Sequence, residues 1–78
     1  MIAPGLYRHY KGALYRVIGT VRDSTNGPGE GREMVLYISD AEHGFHVRER
    51  SQFTEYVATD EVHEGVRQFA PRFQRVRD

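Results

Sequence analysis

The chain has 78 residues, 11 Lys and Arg against 11 Asp and Glu, and no cysteine. Such a length holds one domain, residues 1–78, because a second domain would be too short to bury its own core. The lack of cysteine excludes disulfides and thiolate metal sites, and the balanced charge excludes a long-range attraction of the whole molecule to nucleic acid.

The first third of the chain predicts an arm, a strand and a loop. We expect residues 5–10 to form an extended arm or short strand and residues 11–13 to form a turn. Residues 14–22 are rich in β-branched and aromatic side chains, with apolar ones in both alternating sets, as in a strand covered on both faces. Residues 23–31 contain three glycines and a proline and predict a long loop.

The middle of the chain predicts two further strands around a turn and a corner. Residues 33–38 are the most apolar segment and predict a central strand, which a turn at residues 40–44 follows. Residues 49–52 form a polar corner in this interpretation, and residues 53–57 predict another short strand.

The strand predicted between that turn and that corner alternates in polarity. Alternation places Phe45 and Val47 toward the core. The same pattern places His46 and Arg48 toward solvent.

Residues 60–70 allow two interpretations. Three apolar side chains have helical spacing, which predicts a helix of one or two turns. They are Val62, Val66 and Phe69. Gly65 favours instead a hairpin through residues 63–65, with extended chain on either side, and we prefer this interpretation.

The pattern of elements predicts an all-β fold. Including extended chain at residues 72–76, it comprises five or six short antiparallel strands. An SH3-like half-open barrel is a common way to arrange so few strands, and we predict it here. One short helix near the C-terminus remains the alternative.

Charge is segregated along the chain. Residues 7–22 and residues 67–77 are basic and contain no acid. Their cations are Arg8, Lys11, Arg16 and Arg22 in the first segment and Arg67, Arg72, Arg75 and Arg77 in the second. Residues 55–64 contain Glu55, Asp60, Glu61 and Glu64, and no Lys or Arg. One face of the fold will be cationic if the two basic segments are neighbours.

Several motifs, in order along nearly the whole chain, resemble one family. The most specific is Gly-Leu-Tyr-Arg-His-Tyr-Lys-Gly at residues 5–12. The others are Leu-Tyr-Arg-Val at 14–17, Glu-Met-Val-Leu-Tyr at 33–37, Val-Arg at 47–48 followed by Phe53, and Pro-Arg-Phe at 71–73. In these motifs the chain resembles the small bacterial and phage proteins of domain of unknown function 1653. The resemblance implies a small β fold and no defined activity.

The chain departs from the family pattern at two places. Where the family has a Ser-Glu-Thr-x-Glu run, residues 23–25 are Asp-Ser-Thr and lead into the Gly-Pro-Gly loop. Where the family has Trp-Val-Arg-Pro, residues 45–49 are Phe-His-Val-Arg-Glu, without the Trp and the Pro. No role tied to that loop or that tryptophan is carried over to this chain.

The segment Tyr-Arg-His-Tyr-Lys at residues 7–11 is the strongest candidate site. Tyrosine rings and guanidinium planes stack on nucleobases, while Lys and Arg pair with phosphates. We therefore predict a non-catalytic binding module that contacts nucleic acid or a nucleotide-bearing factor. The predicted contact residues are Tyr7, Arg8, Tyr10, Lys11, Arg16 and Arg48. In the alternative, Tyr7 or Tyr10 only covers the core and the cations are solvated.

Two other functions stay open. A protein-interaction or homo-oligomeric assembly module would use the aromatic side chains of Phe45, Tyr56 and Phe69. A small hydrolase-like enzyme would centre on His9. Its partner would be Asp23 or Glu33, and a second arrangement would join Ser24 to His46. We do not favour catalysis, because a fold this small has little room for a pocket.

The remaining motifs predict neither a metal nor a cofactor. The chain has four histidines, but His43 and His46 do not have the i, i+4 spacing of a helical zinc motif. Residues 26–31 lack the Lys-Ser/Thr ending of a phosphate-binding loop. The N-terminal residues lack a signal-peptide pattern, so we expect a cytoplasmic protein with no membrane partner, and a homodimer stays open.

Overall fold

The computed structural model describes residues 2–76. Within them lie seven strands and one short helix. In chain order these are β1 (Gly5–His9), β2 (Leu14–Arg22), β3 (Glu33–Ser39), β4 (Phe45–Glu49), α1 (Arg50–Phe53), β5 (Tyr56–His63), β6 (Val66–Pro71) and β7 (Phe73–Arg75). Every strand pair is antiparallel, which confirms the predicted mainly β fold, with seven strands instead of five or six.

The strands form two sheets. Five of them make one sheet in the order β4-β3-β2-β1-β7, and β5 pairs only with β6 among the described strands. The strands of residues 2–76 do not close into a barrel, so the SH3-like half-open architecture stays a prediction. Within these residues there is also no helix with the length and apolar character needed to cross a membrane.

The core lies on one face of the five-stranded sheet, which we call the inner face. Its buried apolar side chains are Tyr7, Val17, Val35, Tyr37, Phe53 and Phe73. Phe53 comes from α1 and stacks on Phe73 with ring centroids 4.2 Å apart and planes 4° from parallel. A core built mainly from rings is stabilised by the large apolar area that each ring buries.

The opposite face of this sheet, the outer face, is uncovered by any element of residues 2–76. The prediction that residues 14–22 form a strand covered on both faces is therefore wrong. Val17 is buried on the inner face, whereas Ile18 and Val21 are 49% and 41% exposed. The pairing with β3 shifts at an irregularity between Val17 and Gly19, which places Val21 on the outer face, and both Ile18 and Val21 remain in contact with solvent.

The predicted orientation of β4 is also wrong. Directly opposed residues of antiparallel strands share a face, and His46 pairs with buried Tyr37 while Arg48 pairs with buried Val35. His46 and Arg48 therefore lie on the inner face. Phe45 lies on the outer face and is 69% exposed.

The region after β4 differs from the prediction at one point and agrees at another. The predicted polar corner and the start of the next strand form α1, so Phe53 ends a helix instead of beginning a strand. The hairpin through residues 63–65 is confirmed, because β5 and β6 pair across Glu64 and Gly65. Both turn residues have positive φ, 51° and 80°, as a tight two-residue hairpin turn requires. The alternative of a helix near the C-terminus is wrong.

Candidate ligand-binding site

Hydrogen bonds fix the turn after β1, which carries His9, Tyr10 and Lys11 of the predicted binding segment. The His9 N–H donates to the Ala13 carbonyl at 2.8 Å, and the Gly12 N–H donates to the His9 carbonyl at 2.7 Å. Gly12 has φ of 109°, a conformation that suits glycine. The Lys11 backbone N–H donates to His9 Nδ1 at 3.2 Å, which fixes the imidazole in the turn.

Aromatic rings connect this turn to the core. The His9 ring lies 4.6 Å from Tyr10 and 5.0 Å, edge to face, from Phe73. Half-buried Tyr15 continues the row at 5.5 Å from Phe73. On the next strands, His46 stacks on Tyr37 at 5.4 Å. Because these rings belong to five strands and the adjoining turn, only the assembled sheet brings them together.

Three cations surround His9. Partial burial, and then the positive charges of Arg72, Arg48 and Lys11, lower the pKa of His9 below its ordinary value. Arg72 is partly neutralised, since it lies 3.9 Å from the Glu55 carboxylate and its Nε donates to the Gln52 carbonyl. Charge of one sign around a histidine makes a local environment that favours an anion.

Arg48 differs from the other two cations because one of its guanidinium nitrogens is buried without a partner within residues 2–76, whereas Lys11, which also forms no ion pair there, is exposed. Its guanidinium lies over the Phe73 ring, with the carbon Cζ 5.9 Å from the ring centroid. The Nε atom is buried and has no hydrogen-bond acceptor among these residues. A half-buried charge without a hydrogen-bond partner raises the free energy of the folded state. A bound anion could relieve that cost.

We call His9, Tyr10, Lys11, Arg48 and Arg72 the cationic patch. Three of the six predicted contact residues, Tyr10, Lys11 and Arg48, belong to it. Tyr10 also lines a shallow cleft of about 410 Å³ between the end of β1 and the strands β6 and β7.

The other three predicted contact residues lie elsewhere. Tyr7 is buried, packs edge to face on Phe53, and donates its hydroxyl hydrogen to the Ala3 carbonyl at 2.7 Å. Arg8 and Arg16 are exposed and belong to the outer face, since they alternate with inner-face Tyr7 and Val17 along their strands. Arg8 also contributes to the rim of the 410 Å³ cleft.

The two basic segments, residues 7–22 and residues 67–77, are neighbours in the fold. The pairing of β1 with β7 joins them and brings Arg72 close to His9. Arg75 packs along Gly5 and donates to the Pro4 carbonyl at 3.3 Å. Arg67 lies on β6, and Arg77 lies outside the described residues.

Sequence reasoning missed Tyr15 and His46 as neighbours of the site. The alternation of residues 45–48 does place His46 and Arg48 on one face of the strand, but the prediction gave that face to solvent and not to the core. His46 and Arg48 have the polarity of a solvent-facing pair, and only the pairing of β4 with β3 shows that they lie over the aromatic rings.

The catalytic arrangements considered from the sequence are not formed. His9 lies at the Leu14 end of β2, whereas Asp23 and Glu33 lie at its Arg22 end. Nine strand residues separate these ends by roughly 25 Å. Ser24 is likewise remote from His46, which lies beside Tyr37.

The polar side chains of the long loop have a structural role. The Thr25 backbone N–H donates to Asp23 at 2.9 Å. This hydrogen bond, a further one from the Thr25 side chain, and the nearby positive charge of Arg32 lower the pKa of Asp23. Within residues 2–76 no group of three or more His, Cys, Asp or Glu side chains is arranged to hold a metal ion.

Comparisons with known proteins agree on one family. No curated protein matches the chain. A crystal structure of a DUF1653 protein from Bordetella bronchiseptica is similar, with 29% identity and a TM-score of 0.77, over 96% of this chain and 87% of that one. The family model described as "Protein of unknown function (DUF1653)" matches residues 5–75. The chain therefore belongs to the DUF1653 family, as its motifs predicted.

Proposed function

We propose that this protein is a non-catalytic module that binds single-stranded nucleic acid at the cationic patch. The observation that carries the proposal is Arg48, a half-buried guanidinium beside His9 whose Nε has no acceptor within residues 2–76. A phosphate oxygen is a strong acceptor for such a donor.

The rings of the patch support a nucleic-acid ligand over a simple anion. Tyr10 is partly accessible, and Lys11 lies over its ring at 5.8 Å. Half-buried Tyr15 and exposed His46 extend the aromatic surface beyond Arg48. Aromatic faces beside cations bind bases by stacking while the cations bind the backbone.

The balanced charge of the chain favours a single strand over a duplex. With 11 cations and 11 acids, the protein attracts nucleic acid only through the local patch. A duplex also keeps its bases stacked on each other, so they cannot stack on Tyr10 or Tyr15. A flexible single strand can place one base and one phosphate on the patch together.

The test is an amide and histidine chemical-shift titration of labelled protein with a short mixed-sequence single-stranded oligonucleotide at low and moderate salt. We expect shifts at residues 9–11 and at Arg48 and Arg72, reversed by added salt. A parallel titration with inorganic phosphate separates base contacts from phosphate contacts. Equal affinity for phosphate and oligonucleotide would contradict the assignment to nucleic acid, and absence of shifts with both would overturn the site.

Matched variants make the test specific for the patch. Lys11→Ala removes one charge from the patch, and Arg22→Ala removes one charge from the remote end of β2. We expect Lys11→Ala to lower the salt dependence of binding by roughly 0.7 in the logarithmic slope, the value for one phosphate contact to a single strand. An equal effect of Arg22→Ala would show that binding is diffuse.

A further inference from the structure

The protein exposes more surface than a compact chain of its mass. Its accessible surface is 5780 Å², whereas a compact monomer of 9.0 kDa exposes about 4,900 Å², an excess of about 900 Å². The radius of gyration is 14.2 Å, against about 11.5 Å for a compact domain of this length. The extra surface must therefore belong to a part of the molecule that does not pack onto the rest.

That part is the hairpin of β5 and β6, which we call the arm. The arm joins the five-stranded sheet at its base, where the Arg72 N–H donates to the Glu55 carbonyl at 2.8 Å. No element of residues 2–76 packs extensively against either of its strands. An isolated two-stranded hairpin is only marginally stable in water, so an arm of this length needs a surface to lie on.

One side of the arm is apolar and exposed. Ala58 pairs with Phe69, Tyr56 pairs with Pro71, and Val62 pairs with Arg67, so these side chains share a face. The exposed fractions are 66% for Tyr56, 54% for Val62 and 64% for Phe69. The other side of the arm carries the half-buried side chains of Val57, Gln68 and Ala70 and, near the tip, Val66.

The outer face of the five-stranded sheet is a second apolar surface without a partner in residues 2–76. Phe45 and Val47 are 69% and 55% exposed on β4. Leu36 and Ile38 lie beside them on β3 as their cross-strand partners. Within residues 2–76, eight large apolar side chains are exposed and six form the core, and those that adjoin each other on the outer face make an apolar patch of the kind that marks an interaction site.

The two surfaces have complementary charge. The arm carries Glu64 at its tip, and Asp60 and Glu61 in the irregular middle of β5, where they line a cleft with Lys11 of the same chain. The outer face carries Arg8 and Arg16, and Arg16 lies between Leu6 and Ile38 in the cross-strand row. Neither arginine forms an ion pair with another side chain of residues 2–76.

We propose that two copies of this chain form a symmetric dimer in which the arm of each lies across the outer face of the other. A two-fold axis makes the two contacts identical, and it covers both apolar surfaces of both copies. The excess of about 900 Å² matches the roughly 800 Å² that each partner buries in an interface of standard size. His9 and Arg48 of the cationic patch lie on the inner face, opposite the face that the partner's arm would cover.

The first test is the mass of the full chain by light scattering and by sedimentation equilibrium across a concentration series. We expect a mass of about twice 9.0 kDa at high concentration, falling toward the monomer on dilution. A monomer at every concentration would overturn the proposal.

Single substitutions locate the interface without disturbing the core. Phe69→Asp on the arm and Phe45→Asp on the outer face each place a charge on a side chain that is exposed in the monomer. We expect each to raise the dissociation constant at least tenfold. The control is Val66→Asp, which is equally exposed at 63% but lies on the other side of the arm, and it should leave the constant unchanged.

Mixing the two variants distinguishes an arm on a face from two arms on each other. A hybrid of Phe45→Asp with Phe69→Asp keeps one intact contact, from the unaltered arm of the first to the unaltered face of the second. We expect the mixture to associate more strongly than either variant alone. If Phe45→Asp dimerises like the parent protein, the arms pair with each other and the proposed arrangement is wrong.

Discussion

The two faces of the five-stranded sheet do not follow the simple pattern in which the core face is apolar and the solvent face is polar. The inner face carries aromatic rings together with His46 and Arg48, whereas the outer face carries the exposed aliphatic and aromatic side chains of Val21, Phe45 and Val47. In a domain this small, other elements of the chain cover only one face of the sheet. Here Phe53 of α1 covers the inner face, where it stacks on Phe73 of the edge strand β7.

Polar side chains on the core face of a sheet are candidates for a role in function. Arg48 and His46 lie where a chain optimised only for stability would have apolar side chains. Phe45 and Val47 are in solvent where such a chain would have polar ones. Both departures have an explanation if the inner face binds a ligand and the outer face binds protein.

The largest expected effect comes from a substitution in the core on the inner face. Phe53 is 1% exposed, stacks on Phe73 and contacts Tyr7, so Phe53→Ala leaves a cavity under three rings. We expect a loss of about 3–5 kcal/mol in the free energy of unfolding, enough to unfold much of a domain this small. Urea denaturation followed by circular dichroism measures it.

The matched change on the outer face is Phe45→Ala, where the side chain is 69% exposed. At concentrations where the protein is monomeric, it should change the free energy of unfolding by less than about 0.5 kcal/mol. A loss comparable to that of Phe53→Ala would mean that the outer face contributes to the core and that the comparison of the faces is wrong.

A smaller effect, from a substitution of Arg48, distinguishes the role of this side chain in stability from its role in binding. Arg48→Met replaces the guanidinium by an apolar side chain that can still cover Phe73, and the buried Nε disappears. We expect the free energy of unfolding to rise by about 1 kcal/mol and oligonucleotide affinity to fall about tenfold. Thermal denaturation and the titration described above measure the two effects.

Arg22→Met is the control for this prediction, because Arg22 lies at the remote end of β2. It should alter neither quantity appreciably. If Arg48→Met destabilises the protein and leaves binding intact, Arg48 has a structural role and the proposed site loses its main support.

The smallest expected effect is a pH dependence caused by His9. Its pKa is lowered in the folded protein by partial burial and by Arg72, Arg48 and Lys11. The unfolded chain then binds a proton more readily, so stability decreases as pH falls from the ordinary histidine pKa, about 6.5, toward the lower folded value. Below the folded value the loss is complete and constant.

Thermal midpoints of the parent protein and of His9→Gln at pH 8 and pH 5 test this dependence. The parent should lose more stability between the two pH values than the variant. A bound phosphate group should raise the pKa of His9, which a histidine NMR titration with and without oligonucleotide will detect. An identical pH response of parent and variant would contradict the influence of the three cations on His9.

Much of the local structure was predictable because its causes are local. The turn at Gly12, the loop of residues 23–31 and the hairpin at Gly65 follow from the turn conformations that glycine adopts readily, although Glu64 also takes a positive φ that glutamate rarely adopts. The strand β2 was predicted with its observed bounds from β-branched and aromatic content. The motifs of residues 5–12 were enough to suggest the family.

Predictions failed where short segments have more than one conformation of similar energy. Residues 49–53 were predicted as a corner and the start of a strand, yet Arg50–Phe53 form a helical turn that puts Phe53 over the sheet. A four-residue helix has almost no intrinsic stability. Packing of Phe53 against Phe73 stabilises it, and that contact joins residues distant in the chain.

The amino-acid sequence by itself determined the strands β2, β3 and β4, the turns and the family of this protein, since β propensity, turn residues and motifs act over a few neighbouring positions. Only the tertiary structure decided which face of the sheet is the core. β2 has apolar residues on both faces, and the apolar residues of β4 lie on the outer face, so the choice depends on which face Phe53 of α1 packs against. That choice places Arg48 beside His9 and leaves Phe45 in solvent, because a strand has two faces and long-range packing selects between them.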